Sequence, residues 1–491
     1  MKTALFVIGF DLGTSGCKAV LVDGQGSIAG EARESYPTQS PHPGWAEQDP
    51  ADWKRAATAA IRRLLQETGV PAASVAGIGL TSAAHIGVLA DERGDPLRPA
   101  ILWNDQRTVD EVADLEREAG DEILRLSLQA VSPGWTLPHL RWVRRHDPEA
   151  WSRLRALRLS KDWLLQWLTG EAVTDPATAL SAQLTEARAG AWSPRLCGLA
   201  GLSPDRLPRI AEATATAGFL TAEAARDLGL TRQTAVVNGT LDSATELLAA
   251  GLAEPGDGLV RLATAGGVER VVGEPGPNRG RITYPHPVTP LWYCQAGTST
   301  CAAAVQWGMK LFGNPSYETW DSEAAETPPG AEGLLFHPYL AGERAPLWDP
   351  RVRGSFIGLS LRHGRGHLAR ALYEGASFSI RHAMCVLDDI PASGNPLAVV
   401  GGGARSALWT SVLADVLGRE LRIVDGADSA LGAALLGLAG LGLSANWLSL
   451  VKTRAAAGRL IRPDPERHSF YDQRFTAYVD AQSRLSPFYA G

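Results

Sequence analysis

The sequence predicts an α/β protein made of two related domains that face one another. Three observations carry that expectation. At 491 residues the chain is too long for one hydrophobic core and calls for two large ones. An apolar run at 5–9 leads into a small-residue turn, Asp-Leu-Gly-Thr-Ser-Gly at 11–16, and the chain returns at 18–22. The same strand, small-residue turn and return recur at 259–262, 263–267 and 268–272. An internal duplication would leave that pattern, although small-residue hairpins are also common in unrelated folds. The boundary is expected at Ala-Glu-Pro-Gly-Asp-Gly, 253–258, a turn-forming cluster that gives domains 1–252 and 253–491.

In chain order, the runs at 5–9, 18–22 and 28–35 read as a meander of antiparallel strands. A helix is expected from Pro50, with Trp53, Ala57, Ala60, Ile61, Leu64 and Leu65 on one face. Residues 75–80 and 86–90 follow as strands, and 244–252 as a helix. Further on, 397–400 reads as a strand and a helix begins near Leu408. The Ala- and Gly-rich run 430–443 is shorter than the roughly 20 residues of a membrane span and reads as a helix packed closely inside the second domain. Tyr471, Phe475 and Tyr478 lie at helical spacing and predict a docked terminal helix.

Composition excludes several classes. A net charge of -6 offers no basic field for nucleic acid or an anionic membrane. The most basic stretch, 141–158, is interrupted by Trp142, Val143, Trp151 and Leu154 at helical spacing, the pattern of a solvated helix face. Cys17, Cys197, Cys294, Cys301 and Cys385 contain no Cys-x-x-Cys pair, which predicts free thiols in a reducing cytoplasm rather than zinc or disulfides. The N-terminal apolar run is too short for a signal segment and lacks a cleavage site. There is no Gly-x-x-x-x-Gly-Lys-Ser/Thr and no Gly-x-Gly-x-x-Gly between a strand and a helix, which argues against P-loop and dinucleotide folds.

Four places can carry chemistry. The turn at 11–16 gathers backbone N–H groups in one concavity, where aligned amide dipoles favour phosphate oxygens. Gly13 and Gly16 permit close approach, Thr14, Ser15 and Lys18 can add donors, and Asp11 can hold Mg²⁺ through water. An ordinary hairpin turn has the same composition. Asp242 follows a short apolar strand and opens a helical run, so it can take a proton from a hydroxyl attacking a phosphoryl group, or it can be a plain N-cap. The glycines at 401–403, followed by Ser406, either admit a flat ring against the backbone or let a helix pack closely on a sheet. Finally, His85, Trp103, Asn104, Asp105 and Arg107 lie at strand ends, where polar groups suit sugar hydroxyls and a tryptophan face suits a sugar ring. A lone histidine in such a place also reads as structural.

Taken in order, the motifs resemble the FGGY carbohydrate kinases, and among them the xylulokinases, over nearly the whole chain. The segments that carry the resemblance are 9–16, 41–50, 97–107, 133–138, 140–146, 160–164, 168–171, 342–346 and 401–406. The resemblance implies two actin-like ATPase (ribonuclease H-like) domains around a cleft, in a cytoplasmic enzyme that uses ATP and Mg²⁺ to phosphorylate a sugar, with a homodimer as the implied assembly. It makes Asp242 the catalytic base and places Asp11, Gly13, Thr14 and Ser15 at Mg²⁺ and phosphate. It puts Thr264 and Gly266 in a second phosphate loop, Gly402, Gly403 and Ser406 at the adenosine, and His85 at the sugar. The sequence departs from the xylulokinase pattern at Ala83 and Ala84 (for Gln-Met), at Ile86 (for Gly) and at Ser243 (for Asn). The second loop reads Ala-Thr-Ala-Gly at 263–266 in place of Gly-Thr-Ser-Gly.

The ATP side is therefore retained while the sugar side, including Ala84 and Ser243, is altered toward an enlarged or drier pocket. Phosphoryl transfer to D-xylulose, giving D-xylulose 5-phosphate, is the first expectation. Another ketose or polyol, such as ribulose, L-xylulose or an erythritol-like compound, is the second. An actin-fold ATPase without a sugar is disfavoured by His85, Asn104 and Asp105, and a sugar-binding regulator without turnover by Asp11 and Asp242.

Overall fold

The computed structural model describes residues 5–489, apart from residue 445 and the side chains of 454 and 455. The first sheet comprises β1 (Phe6–Leu12), β2 (Gly16–Asp23), β3 (Ile28–Ser35), β4 (Val75–Ser82), β5 (Thr216–Phe219) and β6 (Ala235–Leu241), in the order β5-β6-β4-β1-β2-β3. Strands β1, β4 and β6 are parallel, while β2 runs antiparallel to both β1 and β3. Val7, Ile8 and Phe10 in β1 are all buried, so the continuous apolar run reflects a strand covered on both faces. The helix α1 (Pro50–Thr68) covers one face. Asp49 caps it by accepting from Ala51 N, Pro50 stands at its first position, and Trp53, Ala57, Ala60, Ile61 and Leu64 are its buried stripe.

The second sheet comprises β7 (Gly258–Leu262), β8 (Gly266–Val272), β9 (Ile282–Pro285), β10 (Trp292–Gly297), β11 (Leu397–Val400), β12 (Leu421–Ile423) and β13 (Arg459–Ile461). Its order is β9-β10-β8-β7-β11-β12-β13. Within it, β10-β8-β7-β11-β12 repeats the arrangement β3-β2-β1-β4-β6: an antiparallel meander of three strands, then two strands parallel to the first. The duplicated hairpin of the sequence is thus the start of a duplicated α/β sheet. The run at 86–90 forms a strand, Gly87–Ala90, that pairs with Ala156–Leu159 outside the main sheets.

One element lies elsewhere than expected. The Ala- and Gly-rich run forms α4 (Ser429–Gly440), which packs on β1 and β4 of the first sheet and on α2 (Asp242–Ala249), not inside the second domain. The reason is the absence of side chains where backbones meet. A Cβ on Gly9 would lie 1.9 Å from the Ala430 carbonyl oxygen, and one on Gly79 would lie 2.0 Å from that of Ala433. From its other side α2 shares a core with the second sheet, joining Ala244 and Leu247 to Leu259, Val271, Tyr284 and Tyr293. Each half of the chain therefore lends a helix to the seam. In the second half α3 (Ala407–Leu417) follows β11. The terminal helix α5 (Pro465–Tyr489) docks as expected: Tyr471 and Tyr478 are fully buried, with their hydroxyls 2.7 Å from Glu374 and Tyr339 respectively.

Among the described residues the five cysteines are free, and no helix is long and apolar enough to cross a membrane.

Candidate active site

Residues Leu12, Ser82 and Leu241 are in register at the carboxyl ends of β1, β4 and β6. This brings Asp11, the His85 loop and Asp242 to one edge of the sheet, where open α/β sheets bind their ligands. In the second sheet the corresponding carboxyl ends of β7 and β11 lead into 263–265 and 401–406.

The first loop is drawn tight by Gly13 N donating to Gly16 O (3.1 Å) and by the Tyr36 hydroxyl on Gly13 O. Trp103 Nε1 donates to Thr14 Oγ1 (3.0 Å) and Gln48 Nε2 to Thr14 O (2.6 Å), so the 97–107 segment is fastened to this loop. Ser15 is exposed at its tip. The Lys18 ammonium stands between Glu31 and Asp428, both at 2.6 Å, and ties β2 to the N-cap of α4. The second loop is closed by Gly266 N on Thr298 Oγ1 (3.0 Å) and by Cys301 N on Thr264 O (2.9 Å), leaving the Thr264 side chain exposed.

Asp242 is not the N-cap of α2. The cap position is Leu241, without a side-chain cap bond, and Asp242 is the first helical residue, accepting only from Ser243 N (2.7 Å). Burial pushes its carboxyl up to about 6; Arg261 and the Ser243 N–H oppose that rise and Glu246 adds to it. Asp11 is held well above the usual carboxylate range by burial, then by Asp242, Asp428 and Glu246, with Lys18 opposing. Its Oδ1 is buried and has no hydrogen-bond partner. Arg261 on β7 bridges Glu246 of α2 and Glu269 of β8, a charged link between the halves.

His85 is buried with a left-handed backbone (φ 68°), an unusual conformation for a non-glycine residue and one that clusters at functional sites. Its Nδ1 lies 2.7 Å from Ser181 O and its Nε2 lies 2.9 Å from the Tyr284 hydroxyl, while Trp135 packs edge-on at 3.6 Å between ring centroids. Ser243 Oγ meets the Tyr293 hydroxyl at 2.8 Å. Next to the short side chains of Ala84 and Ser243 stand two tyrosines that arrive from the second sheet. Trp103 is half-buried and Asn104 exposed.

The Asp105 carboxylate is already engaged: Ala46 N donates to Oδ2 (2.6 Å), and Arg107 donates Nε to Oδ1 (2.9 Å) and a terminal nitrogen to Oδ2 (2.7 Å). Arg107 also reaches Glu47 and lies 3.7 Å above the Trp45 ring. Its fork and flat face are both in use, so Arg107→Lys keeps the charge but loses the geometry. That variant is expected to lose about 1–2 kcal/mol of stability, read by denaturant unfolding.

At the third glycine cluster the two alternatives divide between positions. Gly403 is needed for packing, since a Cβ there would meet the Trp409 ring at 2.6 Å, and Ser406 Oγ caps α3 through Trp409 N. Gly402 has nothing within 4 Å of its virtual Cβ and presents open backbone. The sequence reading missed Trp135, Tyr284, Tyr293, Arg261 and Asp428. Trp135 lies in the recognised segment 133–138 and Arg261 in the duplicated strand 259–262, but neither was given a role there; Tyr284, Tyr293 and Asp428 come from stretches without a motif, and only the fold brings all five here.

Two duplicated sheets, each opening with a hairpin around a small-residue loop, and a pair of carboxylates at the ends of β1 and β6, on either side of β4, are the features of a sugar kinase of the actin-like class. Residues 6–249 match the N-terminal domain of the FGGY family of carbohydrate kinases and residues 280–441 its C-terminal domain, and the chain belongs to that family. It is 32% identical to a xylulose kinase of Staphylococcus epidermidis over 482 residues, 96% of this chain and 95% of that protein. A gluconokinase of Bacillus subtilis is 28% identical, with 88% of this chain and 87% of that protein covered. The crystal structure of xylulose kinase from Rhodospirillum rubrum superposes with a TM-score of 0.89 at 33% identity, covering 99% of this chain and 100% of that one.

Proposed function

We propose that the protein transfers the γ-phosphoryl group of ATP to a hydroxyl of D-xylulose, giving D-xylulose 5-phosphate. The observation that carries the reading is the meeting of Asp11 and Asp242 at the ends of two parallel strands, with the sugar-side loop of His85 between them. The full-length likeness to xylulose kinases supports D-xylulose as the acceptor.

In this mechanism Asp242 accepts the proton of the attacking hydroxyl, and a carboxyl near 6 is ionised yet still basic at neutral pH. The backbone N–H groups of Thr14, Ser15, Thr264 and Ala265 hold the phosphate oxygens, with Thr14 and Ser15 adding hydroxyls, while the Gly13 and Gly266 N–H groups close the two loops. Gly402 offers its open backbone to the adenosine, while Gly403 and Ser406 fix the turn that presents it. His85, Trp103, Asn104 and the edge formed by Ala84 and Ser243 bound the acceptor. Asp105 and Lys18 position that wall and the first loop through Arg107 and Asp428.

Magnesium fits at Asp11, whose buried Oδ1 has no partner and whose carboxyl feels the charge of Asp242, carboxylate oxygens being the donors a hard cation takes. When bound it would neutralise phosphate charge. Closure of the two halves, joined through α2 and α4, excludes water that would otherwise compete as acceptor.

The test is ADP release by the purified protein with Mg-ATP and a panel that includes D-xylulose, D-ribulose, L-xylulose and erythritol. The expected result is turnover strongest with D-xylulose. A different preferred ketose or polyol would reassign the acceptor and implicate Ala83, Ala84 and Ser243 in the change. Hydrolysis indifferent to every sugar would overturn the reading.

A further inference from the structure

Behind the strand that leads to Asp242 lies a buried charged cluster with no part in the mechanism above. Lys161 and Asp162 open the helix Ser160–Thr169, and Asp175 precedes the helix Pro176–Ser181. The Lys161 ammonium is fully buried, 2.9 Å from Asp162 and 3.6 Å from Asp175, and both carboxylates are buried with it. The same ammonium donates to Asn238 O (3.0 Å) and to Asn238 Oδ1 (3.2 Å).

Two arms leave this cluster. The first runs to the base. Val237 and Thr240 of β6 pair with Gly79 and Thr81 of β4, so Asn238 and Gly239 form a bulge, a device that re-aims the residues after it. Gly239 has a left-handed φ of 75°, and a Cβ there would lie 1.8 Å from the Leu80 carbonyl oxygen. Lys161 grips the bulged Asn238, and just past the bulge Thr240 Oγ1 donates to Asp175 Oδ2 (2.6 Å), two residues before Asp242. The second arm runs to the acceptor side. Asp175 Oδ2 also caps the helix Pro176–Ser181, accepting from Ala177 N (3.1 Å) and Thr178 N (3.4 Å). The last residue of that helix holds the His85 loop: His85 N donates to Ser181 Oγ (3.3 Å) and His85 Nδ1 to Ser181 O (2.7 Å). One carboxylate oxygen therefore serves both the strand that ends at Asp242 and the helix that holds His85.

We propose that Asp175, held by Lys161, is a positioning residue for phosphoryl transfer that fixes the Asp242 strand end and the His85 loop relative to one another. The inference rests on the reading of Asp242 as base and of His85 as an acceptor-side residue. Both Asp175 and Lys161 are buried and act through other residues. Taking an ammonium and carboxylates out of water costs about as much as their attraction returns, so the cluster contributes definition of position more than net stability.

The arms can be cut separately. The experiment measures acceptor-dependent ADP release and thermal melts for wild type, Asp242→Asn, Asp175→Asn, Thr240→Val, Thr240→Ser and Ser181→Ala. The acceptor is D-xylulose, or whichever member of the panel above wild type turns over fastest. Thr240→Val keeps the shape of the side chain and loses the bond to Asp175, and should lower kcat about tenfold or more with the KM for ATP unchanged. Thr240→Ser keeps the hydroxyl and should stay within about threefold of wild type. Ser181→Ala should raise the KM for the acceptor about fivefold and leave kcat within about threefold. Asp175→Asn, which loses the attraction to Lys161, should show both changes; if it fails to fold, the two single-arm variants decide. Tyr478→Phe, which removes a buried hydroxyl bond in the terminal helix, is the control for a purely structural loss and should lower the melting temperature with kinetic constants unchanged. Wild-type constants in either Thr240→Val or Ser181→Ala, equal losses in Thr240→Val and Thr240→Ser, or a matching fall of kcat in Tyr478→Phe would overturn the proposal. Undiminished turnover in Asp242→Asn would instead bring down the reading of the base, and this inference with it.

Discussion

Asp242→Asn is expected to fold, to bind ATP, and to lose sugar phosphorylation by about a thousandfold, the effect of removing a positioned general base. The substitution keeps the shape and the acceptor oxygen that meets Ser243 N, and it removes only the proton-accepting charge. Stability should move the other way. In the folded chain the carboxyl titrates near 6 instead of 3.8, so the folded state holds its proton more tightly than the unfolded chain does. This group therefore costs nothing below about pH 4, and its cost grows as pH rises through about 6. The asparagine side chain carries no such cost, so the variant should melt at or above wild type at pH 7 and converge with it near pH 4. The gain should stay below about 2 kcal/mol, since the side chain is only partly buried. In wild type, kcat/KM for the sugar should climb about tenfold per pH unit below 6 and level off above it. Near-wild-type turnover in the variant would remove Asp242 from the role of base.

That site was legible wherever function and local backbone coincide. Residues 11–16 announce a tight turn at a strand end through their own composition, and Asp242 stands out as a carboxylate at a strand-to-helix junction. The duplicated hairpin revealed both sheets because a strand, a small-residue turn and a returning strand are adjacent in sequence. The partners of these residues were not legible. Hydropathy marks 430–443 as buried but does not say which sheet buries it, and that choice rests on Gly9 and Gly79 more than four hundred and three hundred and fifty residues earlier. Tyr284 and Tyr293 lie in a stretch for which the sequence offered no motif, and their approach to His85 and Ser243 is a property of how the two halves meet. The commitment of Asp105 to Arg107 sits at the other extreme: the two residues are two positions apart, and the pairing was within reach of the sequence.

The seam also gives the second large effect, through Gly432→Ala. A Cβ at this position on α4 would stand 1.8 Å from the Thr245 carbonyl oxygen and 2.5 Å from its carbon. Both are backbone atoms of α2, so no rotamer change relieves the clash and the helices must part. Overpacking of this kind costs about 1–3 kcal/mol. The functional loss should be larger than the stability loss suggests, because both helices carry site residues at their first turns. Helix α2 begins with Asp242, and the N-cap of α4 is Asp428, which holds Lys18 beside the first loop. Separating the helices shifts Asp242 relative to Asp11, and a misplacement of about 1 Å can cost about a hundredfold in rate. The expected result is a lower melting temperature with kcat down about a hundredfold. Gly24→Ala serves as the control, since a Cβ there meets nothing within 4 Å, and it should leave both quantities unchanged. Wild-type kcat in Gly432→Ala would mean that the halves are not registered through α2 and α4, and the burden of aligning Asp242 with Asp11 would then fall on the charged link through Arg261.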